Sequence, residues 1–154
     1  FRMDCYAAAF NITSGFIDFI NVSVCTIYIS TKNILVVDDN QQNCELLQAY
    51  LEDLDCRTIP ASDGLEALKI VAETPPDLIL LDVMMPGMGG PETLTRLSEQ
   101  IDLAEVPVVF MTAKVQPSEI EHLRNLGARD VIVKPFDPMR LASQIQAIWE
   151  ARGV

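Results

Sequence analysis

The chain is expected to fold as an α/β domain built on a doubly wound, five-stranded parallel sheet. Two observations carry that expectation. First, short apolar runs alternate with helical stretches from Lys32 onward: Ile34-Leu-Val-Val37, Leu78-Ile-Leu-Leu81, Val106-Pro-Val-Val-Phe-Met111 and Val131-Ile-Val133. Runs that are apolar at every position suit strands covered by helices on both faces. Second, each of these runs ends at a polar residue able to do chemistry. Asp38 and Asp39 follow the first, Asp82 the second, Thr112 the third and Lys134 the fourth. Open α/β sheets bind ligands just beyond the carboxyl ends of their strands. Three carboxylates, a hydroxyl and an ammonium therefore converge on one crevice.

The elements follow in order. Ile34–Val37 is the first strand. Asn40 opens a helix to about Asp53, with Leu46, Leu47, Tyr50 and Leu51 at helical spacing. Cys56–Pro60 is a short second strand. Asp63 and Glu66 have capping-box spacing, and the helix they start runs to about Glu73, where Pro75-Pro76 stops it. Leu78–Leu81 is the third strand. Residues 86–90 form a loop, and Pro91 suits the first position of the next helix. Val106–Met111 is the fourth strand. Pro117 starts a helix that stops at Gly127, a residue suited to C′. Val131–Val133 is the fifth strand, and Pro138 opens a last helix ending near Arg152. Right-handed crossovers with helices on both faces lead to a flavodoxin-like order, 2-1-3-4-5. Strands one and three then lie side by side with Asp38, Asp39 and Asp82 on their ends.

Composition narrows the function classes. A chain of 154 residues, 49% hydrophobic, is long enough for one domain with a core. Eleven basic and 22 acidic residues give a formal charge of −11. A phosphate backbone needs a basic footprint, so direct nucleic-acid binding is not expected. Cys5, Cys25, Cys44 and Cys56 show neither C-x-x-C nor metal-ligand spacing and read as free thiols in a reducing, cytoplasmic setting. His122, in a polar helical stretch, reads as a solvated surface residue. Residues 1–30 stand apart from the domain at 31–154 as an apolar extension of unknown role, strand-like over Ile20–Ile29. Asn11, Asp18 and Asn21 interrupt it, so membrane insertion is not expected. A strand there can add to a sheet edge or support a homodimer.

Carboxylates gathered in one crevice repel unless a cation or a proton relieves them. Magnesium prefers oxygen ligands and is usually held by one or two carboxylates plus phosphate and water. Asp39 and Asp82 supply such carboxylates, and Asp38 can hold a metal-bound water. A carboxylate can also attack phosphorus and form an aspartyl phosphate. Lys134 can pair with a carboxylate or a phosphoryl oxygen, and Thr112 offers a hydroxyl donor. Each residue alone has a plainer reading: an Asp after a strand often caps a turn, and a lone lysine is usually solvated. Met84, Met85, Met88 and Met111 read as packing and loop residues.

From about Thr31 to Arg152 the chain resembles the receiver domain of two-component response regulators. The matching segments are Ile34-Leu-Val-Val-Asp-Asp-Asn40, Leu80-Leu-Asp-Val-Met-Met-Pro-Gly87, Met111-Thr-Ala-Lys114 and Gly127-Ala…Val133-Lys-Pro-Phe136. The resemblance implies that Asp82 is the phosphoacceptor. It implies that Asp38 and Asp39 form the acidic magnesium pair, with the backbone carbonyl of Met84 a further ligand. Thr112 is then the switch hydroxyl, Lys134 binds the phosphoryl group, and Lys134-Pro135 is a cis peptide. The implied partners are a sensor histidine kinase or phosphotransfer protein and an unidentified downstream protein, met at the helix-four, strand-five, helix-five face. No output domain is expected in the chain, and no enzyme activity beyond self-catalysed phosphoryl transfer and loss. Val131 departs from the family, where an aromatic residue often gates the switch. Met88-Gly89-Gly90 replaces the frequent Met-Asp-Gly, and Pro91 a larger hydrophobe. Met84 and Lys114 hold positions that tune phosphoryl lifetime. A degenerate receiver is disfavoured because no acidic residue is lost. A phosphatase of the haloacid dehalogenase type needs Asp-x-Asp-x-Thr, which Asp38-Asp-Asn-Gln-Gln42 does not match. A flavodoxin needs a Ser/Thr/Gly phosphate cradle after strand one, also lacking.

Overall fold

The computed structural model describes residues 31–151. The strand-like run at Ile20–Ile29, Cys5, Cys25 and the expected helix end at Arg152 lie outside the described residues. Within them, ten elements alternate: β1 (Lys32–Val37), α1 (Gln41–Tyr50), β2 (Cys56–Ala61), α2 (Gly64–Glu73), β3 (Leu78–Asp82), α3 (Gly90–Ser98), β4 (Val108–Thr112), α4 (Pro117–Asn125), β5 (Asp130–Val133) and α5 (Pro138–Glu150). The sheet is parallel throughout, in the order β2-β1-β3-β4-β5. The expected flavodoxin-like doubly wound fold is the observed one.

Strand alternation divides the core into two layers. Ile34, Val36, Leu78, Leu80, Val109, Met111 and Ile132 face α1 and α5, meeting Leu47, Leu141, Ile145 and Trp149. Leu35, Val37, Ile79, Leu81, Val108, Phe110 and Val131 face the opposite layer, meeting Ala67, Val71, Leu94, Leu97 and Leu123 of α2, α3 and α4. Residues 78–82 and 108–112 are buried at every position because both faces of β3 and β4 are covered. At the far edge from the candidate site, the Lys32 ammonium lies 4.3 Å from the centre of the Trp149 ring, a cation–π contact between β1 and α5.

Several boundaries differ from the sequence reading for physical reasons. Asn40 is the N-cap of α1 rather than its first residue, its side chain accepting from Gln42 N–H at 2.9 Å. The helix stops at Tyr50, and Leu51 to Asp55 form turns leading to β2. β4 begins at Val108 rather than Val106. The Val106 N–H is already bonded to the Asp102 carbonyl, and Pro107 has none to give; its carbonyl accepts from Ile79 instead. Asp63 caps α2 as expected, but Glu66 reaches back to Ser62 N–H and Oγ, both at 2.7 Å, one residue earlier than a capping box requires. α3 begins at Gly90, placing Pro91 second. Gly127, at φ +109°, follows the Leu126 cap of α4 as the expected left-handed residue.

Candidate functional site

The register of the sheet builds the site. Val37 pairs with Leu81, so Asp38 and Asp82 reach the sheet edge side by side. Asp82 pairs with Met111 and Thr112 with Val133, which sets Thr112 and then Lys134 along the same edge. The connections from β1 and β3 pass to opposite faces, through α1 and α3. This is the point where the winding reverses and where such sheets bind ligands.

Gly90 fixes the back of the site. Its N–H donates to the Val83 carbonyl at 3.1 Å. A Cβ there would collide with the Asp82 carbonyl oxygen and lie 2.9 Å from Val83 Cα and 3.1 Å from Phe110 Cε1. Only glycine lets α3 start so close behind Asp82. Gly87, at φ +75°, turns the loop between them.

Asp38, Asp39 and Asp82 each place one carboxylate oxygen within 4.8 Å of the others. Asp38 and Asp82 are 2% and 5% exposed, while Asp39 faces solvent. The Lys134 ammonium donates to Asp38 Oδ2 and to Asp82 Oδ1, each at 3.1 Å. Asp38 Oδ1 also accepts from Asn40 N–H at 2.9 Å, and Oδ2 from Asn43 Nδ2 at 3.1 Å. Thr112 is buried; its Oγ1 accepts from Lys114 N–H at 3.1 Å and its carbonyl from Lys134 N–H at 2.8 Å. Lys134-Pro135 is cis.

Burial pushes the Asp82 carboxyl above the usual carboxylate range. The hydrogen bond from Lys134 opposes that rise, the charge of Asp38 adds to it, and the Met84 N–H on the carboxylate works against it. Burial alone would depress Lys134, but its bonds to Asp38 and Asp82 outweigh that and hold the ammonium above the ordinary lysine value. Three carboxylates against one ammonium leave two negative charges uncompensated. Those charges sit on oxygen donors alone, a set that suits a hard divalent cation such as magnesium. The residues therefore fit the metal that the sequence implied.

The remaining sequence candidates fall as follows. Met84 stands next to the site with an exposed side chain, and it touches Asp82 through its backbone N–H. Val131 is 7% exposed and belongs to the core layer under α2, α3 and α4, opposite Phe110 in the sheet. Pro135 is exposed, and His122 lies on the surface of α4. Cys44 and Cys56 are free thiols. Burial, and then the Asp38 charge, push the Cys44 thiol up, so it packs beneath the site as a neutral group donating to the Asp38 carbonyl at 3.6 Å. Sequence reasoning missed Asn43 and Gly90. The spacing of Asn43, five residues after Asp38, was legible only once α1 was known to start at Gln41.

A doubly wound sheet with three acids, a hydroxyl and a lysine on its carboxyl edge defines a receiver-type α/β domain. The family model described as the response regulator receiver domain matches residues 34–146, and the chain belongs to that family. It is 38% identical over 117 residues to the response regulator GtcR of Aneurinibacillus migulanus, covering 76% of this chain and 47% of that protein. It is 33% identical over 117 residues to the polar-differentiation response regulator DivK of Brucella ovis, covering 76% of this chain and 95% of that protein. Among solved structures, the chemotaxis protein CheY4 of Vibrio cholerae superposes with a TM-score of 0.71 at 29% identity, covering 77% of this chain and 98% of that one. The chain thus spans about half the length of GtcR and nearly all of DivK. GtcR and DivK are both response regulators. No helix among the described residues is long and apolar enough to cross a membrane.

Proposed function

We propose that this receiver domain is a phosphorylation-controlled switch in which Asp82 accepts a phosphoryl group in a magnesium-dependent reaction. The observation that carries the reading is the pairing of the buried Asp82 carboxylate with both a lysine and a cluster of two further acids. An Asp82 oxygen attacks phosphorus, and the bond from phosphorus to the donor atom breaks, the donor keeping the electron pair. Water later attacks the phosphorus of the acyl phosphate, the bond from phosphorus to the Asp82 oxygen breaks, and inorganic phosphate leaves as the carboxylate is restored.

Magnesium would be held by Asp39, Asp82 and the Met84 carbonyl, with Asp38 acting through water; when bound it neutralises charge on the phosphoryl oxygens. Lys134 leaves its carboxylate partners to pair with a phosphoryl oxygen. Thr112 donates its hydroxyl to another, which draws the loop carrying Lys114 with it. The face formed by α4, β5 and α5 then changes its affinity for a downstream protein. With Val131 small and buried, that coupling runs through the loop after β4 rather than through an aromatic gate.

A sensor histidine kinase or phosphotransfer protein is the proposed donor, and the setting is cytoplasmic. A homodimer is one form the output can take. The domain itself makes no nucleic-acid contact under this reading. The test is a calorimetric titration with beryllofluoride, a phosphoryl mimic, with and without magnesium. Saturable binding that needs magnesium and disappears in Asp82→Asn supports the reading. Binding that survives in Asp82→Asn, or no binding at all, refutes it.

A further inference from the structure

The three carboxylates are not held alike. A carboxylate offers about four lone-pair directions, and three donors occupy three of those on Asp38, leaving one on Oδ1: Asn40 N–H on Oδ1, Asn43 Nδ2 and Lys134 Nζ on Oδ2. Asp82 accepts from Lys134 and from Met84 N–H. The Asp39 carboxylate accepts no hydrogen bond among the described residues. Asp38 is therefore the fixed wall of the site, while Asp39 is free to adapt.

Of the three donors on Asp38, Lys134 is shared with Asp82, and the Asn40 donor is backbone. Asn43 alone is a side chain dedicated to Asp38. Its amide nitrogen must face the carboxylate, since a carboxylate only accepts. Asn43 is itself well anchored. It sits half-buried in the first turn of α1, its N–H bonded to the Asn40 carbonyl at 3.1 Å, in a helix capped by the Asn40 side chain.

We infer that Asn43 is a positioning residue whose amide fixes the Asp38 carboxylate and thereby makes the acidic site discriminate magnesium from the larger calcium ion. The inference rests on the reading of the acid cluster as a magnesium site. Magnesium demands near-ideal octahedral geometry, whereas calcium tolerates more ligands, longer distances and irregular arrangements. A carboxylate locked in one orientation favours the stricter ion; a carboxylate free to rotate accommodates the larger one. Partners one step removed from a metal typically matter by about 10–100-fold in affinity; on that reading Asp38, holding a metal-bound water, is such a partner, and Asn43 acts by fixing it. When Lys134 turns toward a phosphoryl group, Asn43 and Asn40 are the donors that keep Asp38 in place.

The experiment is calorimetric titration of the full chain with magnesium chloride and, separately, with calcium chloride. It uses wild type, Asn43→Ala and Asn43→Leu, the last filling the volume without a donor. Metal-free urea unfolding establishes that each variant is folded. In both variants the expected result is magnesium affinity lower by about 10-fold or more, with calcium affinity changed by much less. The preference for magnesium then shrinks. A general loosening of the domain would weaken both ions alike, so equal losses overturn the inference, as do unchanged affinities. Wild-type protein that binds neither ion overturns the magnesium reading and this inference with it. Wild-type binding with the preference intact in the variants overturns the inference alone.

Discussion

Replacing Lys134 with methionine keeps the apolar stem and removes the one ammonium between Asp38 and Asp82. Each ion pair spans 3.1 Å, at which separation an effective dielectric near 20 gives an attraction of about 5 kcal/mol. Much of that is offset by the cost of taking the ammonium out of water. The lysine side chain is also 20% exposed, so solvent screens part of the remainder. Losing a hydrogen bond to a charged group typically costs about 1.5–3 kcal/mol. With both bonds gone and screening included, the expected loss is about 2–3 kcal/mol at neutral pH without divalent cation. For a domain of this size each kcal/mol moves Tm by about 4 °C, so the shift is about 10 °C. The assay is urea and thermal unfolding followed by circular dichroism, with and without magnesium. Magnesium should recover more stability in Lys134→Met than in wild type, because it relieves the repulsion left behind. Acid should narrow the gap as the carboxyls take up protons. Equal stability of the two proteins at neutral pH, or a gap indifferent to both magnesium and acid, would refute the reasoning.

Other perturbations follow from the same geometry. The Asp82 carboxyl is raised by burial, so the folded state holds its proton more tightly than the unfolded chain does. Its contribution to stability therefore falls as pH rises from the ordinary carboxylate range through the raised value. Asp82→Asn should accordingly melt higher than wild type at neutral pH without metal, and the advantage should vanish in acid; thermal melts across that range check it. Gly90→Ala drives a methyl into the Asp82 carbonyl and against Phe110, with an expected loss of about 1–3 kcal/mol and weaker magnesium binding, read by unfolding and titration. Asp137→Ala removes the cap whose oxygen accepts from Met139 and Arg140 N–H. It should cost about 1 kcal/mol in urea unfolding and leave magnesium affinity unchanged.

The parallel sheet was legible because β3, β4 and the Ile34–Val37 part of β1 are apolar at nearly every position, as strands covered on both faces require. The apolar runs put Asp38, Asp82, Thr112 and Lys134 at strand ends, and the strand order, which came from topology rules, made those ends neighbours. Element ends were less legible. Whether Val106 belongs to β4 depends on its N–H having been taken by the Asp102 carbonyl, a loop contact that no periodicity reports. Whether Asn40 is a cap or a first helical residue depends on which way its side chain turns. Asn43 escaped notice for a related reason. An asparagine in a helix's first turn has an ordinary local explanation, and its bond to Asp38 appears only when the strand end and the helix are placed together. Gly90 looked like part of a loop because the atoms that exclude a side chain there come from β3 and β4.

The most direct test of the central claim is the intact mass of the protein after incubation with acetyl phosphate, for wild type and Asp82→Asn, with magnesium and with a chelator. The account expects wild type to gain the mass of one phosphoryl group only when magnesium is present, and Asp82→Asn to gain none. A gain that persists in Asp82→Asn, or that ignores the chelator, would contradict it.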